Sequence, residues 1–166
     1  QYPERWQKLW GFSLDDPQSA FPFSLRLARE NGWEMQFSLR CIAEYKKFLY
    51  LVTLNQGVLT PSDAVDQVWH LHLIYTRSYW NVLCSEILQN DIHHGPTKGG
   101  NQEKEKYEVC YQRTLDLYKS EFEETPPPDI WLPLKERFTD IQFQRVNLRK
   151  HWIIPIPVWL QKFWHS

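Results

Sequence analysis

Between residues 34 and 55, Phe37, Cys41, Tyr45, Phe48, Leu49 and Val52 recur at steps of three and four. A helix completes a turn in 3.6 residues, so this spacing gathers them on one face. Arg40, Glu44, Lys46 and Lys47 fall mostly off it. A stripe this long needs a broad apolar surface to cover it. The segment is therefore expected to be the central core helix, with the rest of the chain built around it.

The flanking punctuation divides the remainder into further helices. Residues 4–10 read as a short helix ending at Gly11, and residues 21–30 as one stopped by Asn31-Gly32, a C-terminal signal. Asp15-Asp16-Pro17 between them is a turn or a helix start. Thr60 can cap a helix that has Pro61 at its first position and Asp63 as the capping-box acid. That helix runs through Val65, Trp69 and Leu73, bends near residues 76–78, and resumes to Leu88. Residues 91–100 carry no periodicity and read as a loop. Asn101 can cap the next helix, which extends to about Phe122 with Tyr107, Cys110, Thr114, Leu117 and Tyr118 inward. Pro126, Pro127 and Pro128 end it.

The expectation is one all-α domain: a compact bundle of about five to six helices over residues 1–128, with an extended, proline-interrupted arm over residues 129–166 packing on it. Residues 153–158, Ile-Ile-Pro-Ile-Pro-Val, are expected to wrap over the helices or form an edge strand. No internal repeat is present. At 166 residues the chain can bury roughly 70% of its unfolded surface.

Composition narrows the function classes. The net charge of −1 supplies no global field toward nucleic acid or an anionic membrane. Arg145, Arg149, Lys150 and His151, interleaved with Trp152 and Trp159, read as a solvated basic face with its tryptophans buried, so nucleic acid is not the expected partner. Cys41, Cys84 and Cys110 are odd in number and sit among apolar helical neighbours, which suits buried free thiols in a reducing compartment. No CxxC, glycosylation sequon, nucleotide or flavin motif occurs. No apolar run approaches the roughly 18 residues that span a bilayer, and no basic-then-apolar leader opens the sequence. A cytoplasmic location is the expectation. Nine Trp, eight Tyr and nine Phe give large buried areas, with N–H and O–H groups that need polar partners.

The chemistry concentrates between residues 69 and 94, where four of the six histidines lie: His70, His72, His93 and His94. Neutral imidazole is the commonest protein metal ligand, and Asp adds a harder oxygen suited to zinc or iron. Asp66 and His70 stand four apart and share a helical face, with Asp63 a turn earlier. His72 lies about 200° round the helix from His70 and cannot meet the same ion. It reads as a packed histidine. Asp66, His70 and either His93 or His94 from the loop would make an open site, with a position left for water. A zinc ion acidifies such water, which makes hydrolysis the natural reaction class. His94 is favoured over His93 because Gly95 lets the backbone turn it inward. The competing reading is structural: Asp66 and His70 as a hydrogen-bonded pair within a protein–protein interaction module whose tryptophans form the core. Thr97, Lys98, Gly99 and Gly100, just before a helix, offer backbone N–H groups, a hydroxyl and a cation suited to a small anionic ligand. The order is not that of a P-loop.

Val65-Asp66-Gln67-Val68-Trp69-His70-Leu71-His72, preceded by Tyr45-Lys46-Lys47-Phe48-Leu49, resembles the centre of the glycine-rich domain-containing protein-like family. Tyr79-Trp80, residues 93–100 and Asp129-Ile130-Trp131 look like its bacterial members, and the resemblance spans residues 22–133. It implies Asp66, Trp69, His70 and His72 as motif positions and carries no activity with it. The glycine-rich region that names the family is absent beyond residues 95–100, so no role of that region transfers.

Overall fold

A computed structural model describes residues 3–54, 57–95, 101–138, 146–147, 149–154 and 156–157, with only the backbone of residues 101–104. Seven helices are found among them: α1 (Glu4–Gly11), α2 (Phe23–Asn31), α3 (Met35–Leu54), α4 (Asp63–Ile74), α5 (Arg77–Leu88), α6 (Asn101–Phe122) and the single turn α7 (Leu134–Arg137). No strand occurs among the described residues, and the fold is all-α, as expected. No helix among them is long and apolar enough to cross a membrane.

α3 is the hub. It packs on α1, α2, α4 and α6, burying Cys41, Tyr45, Phe48 and Leu49. Trp6 from α1 meets Tyr50 and Phe122, while Phe48 meets Trp69 and Trp131. Such aromatic contacts fix the core geometry as well as filling it.

Gly32 closes α2 at φ 66°, a left-handed conformation that glycine adopts without steric penalty. The start of α2 is capped from a distance: both Asp15 oxygens accept from Ser24, one from its N–H and one from its hydroxyl, each at 2.7 Å.

Three expectations are corrected. The cap of α4 is Ser62, whose hydroxyl accepts from the Val65 N–H, and Pro61 precedes it rather than opening the helix. Thr60 is committed elsewhere, its N–H and carbonyl both meeting the Thr114 hydroxyl on α6. Glu44, placed off the core face of α3, is buried. Its carboxylate accepts from Trp131 Nε1 at 2.7 Å and from the Tyr118 hydroxyl at 3.1 Å, with Lys47 Nζ 3.4 Å away. Burial of a charge is tolerable where it is paired and hydrogen-bonded in this way. Trp152, expected to be buried, is 94% exposed; Trp159 lies outside the described residues.

The bend after α4 falls at Tyr75 (φ −86°, ψ 58°), and α5 then runs with π-helical geometry to Gln89, which turns left-handed at φ 52°. Residues 129–138 return along the bundle. Asp129 forms a two-pronged ion pair with Arg40 at 2.7 Å, the Tyr111 hydroxyl donates to the Leu132 carbonyl, and Arg137 pairs with Asp63 at 2.8 Å.

Candidate metal centre

Each ring of the histidine-rich segment is placed by a different device. On α4, the four-residue step aligns Asp66 and His70, and the His70 Nε2 lies 3.7 Å from Asp66 Oδ2. The loop after α5 brings His94 back over this face. Its Nε2 is 2.8 Å from Asp66 Oδ1, and its ring centroid is 4.5 Å from those of both His70 and Trp69.

The loop is held upstream of His94. Trp69 Nε1 donates to the Tyr79 hydroxyl at 2.9 Å, and that hydroxyl donates to the Ile92 carbonyl. Trp69 from α4, Tyr79 from α5 and the loop backbone thus form one buried chain. This is the role the structure gives to the Trp of the motif. Gly95 neither adopts a positive φ nor approaches other atoms closely. The backbone freedom assumed for it is not what turns His94 inward. Two residues upstream of His94, Ile92 is buried and held by the Tyr79 hydroxyl.

Asp66, His70 and His94 each present one ligand atom, and all three atoms lie within 4.8 Å of one another. Zinc bonds of about 2.1 Å in tetrahedral geometry separate ligand atoms by about 3.4 Å. His94 Nε2 lies closer than that to Asp66 Oδ1, at 2.8 Å, and His70 Nε2 farther than that from Oδ2, at 3.7 Å, so a shared ion requires side-chain rotation. The side chains of Asp66 and His94 are 21% and 17% exposed and that of His70 is 49% exposed, which leaves a solvent-facing approach. Asp63, one turn back, is tied to Arg137. Burial raises its pKa above the ordinary carboxylate value, Arg137 opposes that shift, and the nearby Asp66 adds to it.

The other histidines are not in this cluster. His93 is exposed and lies against Trp80, with centroids 5.5 Å apart. His72 is fully buried among the rings of Phe12, Phe23, Tyr45 and Tyr79. Its Nδ1 meets the Tyr45 hydroxyl at 3.1 Å and its Nε2 the Ser78 hydroxyl at 3.0 Å. A neutral imidazole has one donor and one acceptor, and both are used. Burial lowers its pKa to about 4. Thr97, Lys98, Gly99 and Gly100 lie outside the described residues. Sequence reasoning missed Tyr79 and Arg137, whose roles rest on partners distant in the chain, Ile92 and Trp69 for the first and Asp63 for the second; only the Tyr79-Trp80 pair in the resemblance pointed toward the first.

Two curated relatives from Arabidopsis thaliana, glycine-rich domain-containing proteins 2 and 1, are similar to this chain. Each is 24% identical over 106 residues, which covers 61% of this chain. The match spans 13% of the length of each relative. This similarity agrees with the resemblance carried by the Asp66–His72 motif. No family model matches the chain. No solved structure matches it.

Proposed function

We propose that this chain binds one divalent transition metal, zinc or iron(II), through Asp66, His70 and His94, and keeps a fourth position open to water. The observation that supports it is convergence: a carboxylate and two imidazoles from two separate segments each bring one ligand atom within 4.8 Å of the others. Two neutral nitrogens and one carboxylate oxygen suit either ion, and three protein ligands with an open position are the pattern of a catalytic rather than a closed structural zinc site. The metal would polarise a bound water, and hydrolysis of a small anionic substrate is the reaction class that follows. Thr97, Lys98, Gly99 and Gly100 would hold the anion, an assignment resting on sequence alone.

Elemental analysis of untagged protein tests the site. The expected result is about one zinc or iron per chain, lost in His70→Ala and His94→Ala with the helical circular dichroism retained. Absence of metal after incubation with zinc and with iron(II) overturns it. A loaded protein inert toward ester and phosphoester panels removes the hydrolase and leaves the metal.

One observation favours a second reading, a non-enzymatic interaction module. The Asp66–His94 pair at 2.8 Å is already a complete hydrogen bond, covered by Trp69. On this reading metal content is nil throughout, and His94→Ala costs about 1–3 kcal/mol of stability.

A further inference from the structure

The charge of this chain is unevenly divided. Residues 141–166 carry four cations, Arg145, Arg149, Lys150 and Lys162, and no acid. The rest then holds 15 Lys and Arg against 20 Asp and Glu, a balance of −5. Next to the cations stand large apolar side chains that the bundle does not cover. Trp152 is 94% exposed, Ile153 64%, Ile154 78% and Ile156 48%. Asn147 shapes the approach to them: its side-chain oxygen accepts from the Arg149 N–H at 3.0 Å, and its carbonyl from the N–H groups of Lys150 and His151. The turn sets Arg149 and Lys150 directly before Trp152.

An apolar segment of this kind suits several classes of partner, and its chemistry discriminates among them. Pro155 and Pro157 lack N–H donors, which disfavours a helix in a groove and strand addition to a sheet. Single-stranded nucleic acid would use the cations and the tryptophan, yet aliphatic side chains add nothing to phosphate contact or base stacking. An anionic lipid surface uses all three kinds. Tryptophan favours the headgroup level, isoleucine the acyl boundary, and Lys and Arg the lipid phosphates. We infer that the arm around residues 149–156 docks on an anionic membrane surface and holds the acidic helical body away from it. The inference is independent of the metal proposal.

Co-sedimentation of the full chain with phosphatidylcholine vesicles, with and without phosphatidylserine, tests it. Binding is expected only with phosphatidylserine and should fall as salt is raised. R149Q/K150Q should weaken it by about thirtyfold, at roughly a tenfold loss per 1.4 kcal/mol and about 1 kcal/mol for each cation near the surface. W152S/I154S should weaken it by about tenfold or more through lost apolar burial. These side chains are exposed, so both variants should keep the wild-type circular dichroism. No sedimentation above the phosphatidylcholine background overturns the proposal, as does wild-type binding by both variants. Tighter binding to oligothymidylate than to vesicles, weakened by W152S but retained in I154S, would give the arm to nucleic acid instead. A dimer that W152S/I154S dissociates, without vesicle binding, would give it to a second copy of the chain.

Discussion

His70 and His72 stand two positions apart on α4, and the helix turns that step into about 200° of separation. On one side His70 is half exposed, 3.7 Å from Asp66 and in ring contact with His94. On the other, His72 is enclosed by four aromatic rings and bonded through both nitrogens. The two share chemistry and differ in what surrounds them. A histidine can take up an ion only where a nitrogen lone pair can be freed without breaking the core. The proposed site lies on the Asp66 side of α4, where His70 is half exposed, and the His72 side instead ties α4 to α3 and to the start of α5.

The largest expected difference is in stability. His72→Ala leaves a cavity among the rings and strands the Tyr45 hydroxyl without its partner, so it should cost about 4 kcal/mol. His70→Ala, at a half-exposed site, should stay within about 0.5 kcal/mol of wild type. Urea unfolding of the metal-free proteins measures both. Equal losses would erase the distinction between the two sides.

Acid sharpens the same contrast. His72 has a folded pKa of about 4, held there by burial, against about 6.5 when unfolded. A depressed histidine pKa means that the unfolded chain binds the proton first. The stability of the neutral buried ring is therefore complete above about pH 6.5 and is lost as the pH falls toward 4. The loss should total about 3 kcal/mol, and His72→Gln should remove most of it. Urea midpoints at successive pH values read it directly. An unchanged slope in His72→Gln would mean that other groups govern the acid limb.

Metal addition should act on the opposite side of the helix. If zinc binds at Asp66, His70 and His94, a free concentration a hundred times the Kd should stabilise wild type by about 2.7 kcal/mol. His72→Gln should keep that increment on its lower baseline, whereas His70→Ala and His94→Ala should lose it. An increment that follows His72 would reverse the assignment.

Local and distant determinants explain which of these features the sequence shows. Gly32 and the prolines at 126–128 punctuate helices by their own backbone restrictions, so helix ends near them are legible from neighbours alone. Asp66 beside His70 follows from a four-residue step, and His72 behind from a two-residue one. Glu44 is different. Its burial depends on Tyr118 and Trp131, 74 and 87 residues away, which no local pattern connects to α3. Thr60 reads as a cap until Thr114 on α6 claims its backbone. The π-helical geometry of α5 leaves no mark in an apolar periodicity that also suits an α-helix. The loop that carries His94 is likewise tied down two residues upstream, by the bond from Tyr79 to Ile92, which no local pattern shows.

That bond allows the smallest of the expected effects to separate fold from site. Tyr79→Phe keeps the ring and its packing but removes a hydroxyl that accepts from Trp69 and donates to Ile92. The Trp69 N–H and the Ile92 carbonyl then lose their partner in the core, at a cost of about 1.5 kcal/mol. Had Tyr79 only a packing role, zinc affinity in the folded protein would be unchanged, since no ligand atom is altered. If instead it positions the loop, His94 loses its fixed approach to Asp66, and affinity should drop by about tenfold, the scale on which supporting groups act on metal ligands. Titration well below the unfolding temperature isolates that term. Trp69→Phe removes the donor from the same chain and leaves the Tyr79–Ile92 bond in place, so it should lower affinity less. The reverse order would locate the control of His94 in the Trp69 ring, which it meets in a T-shaped contact, rather than in the hydrogen bond to the loop.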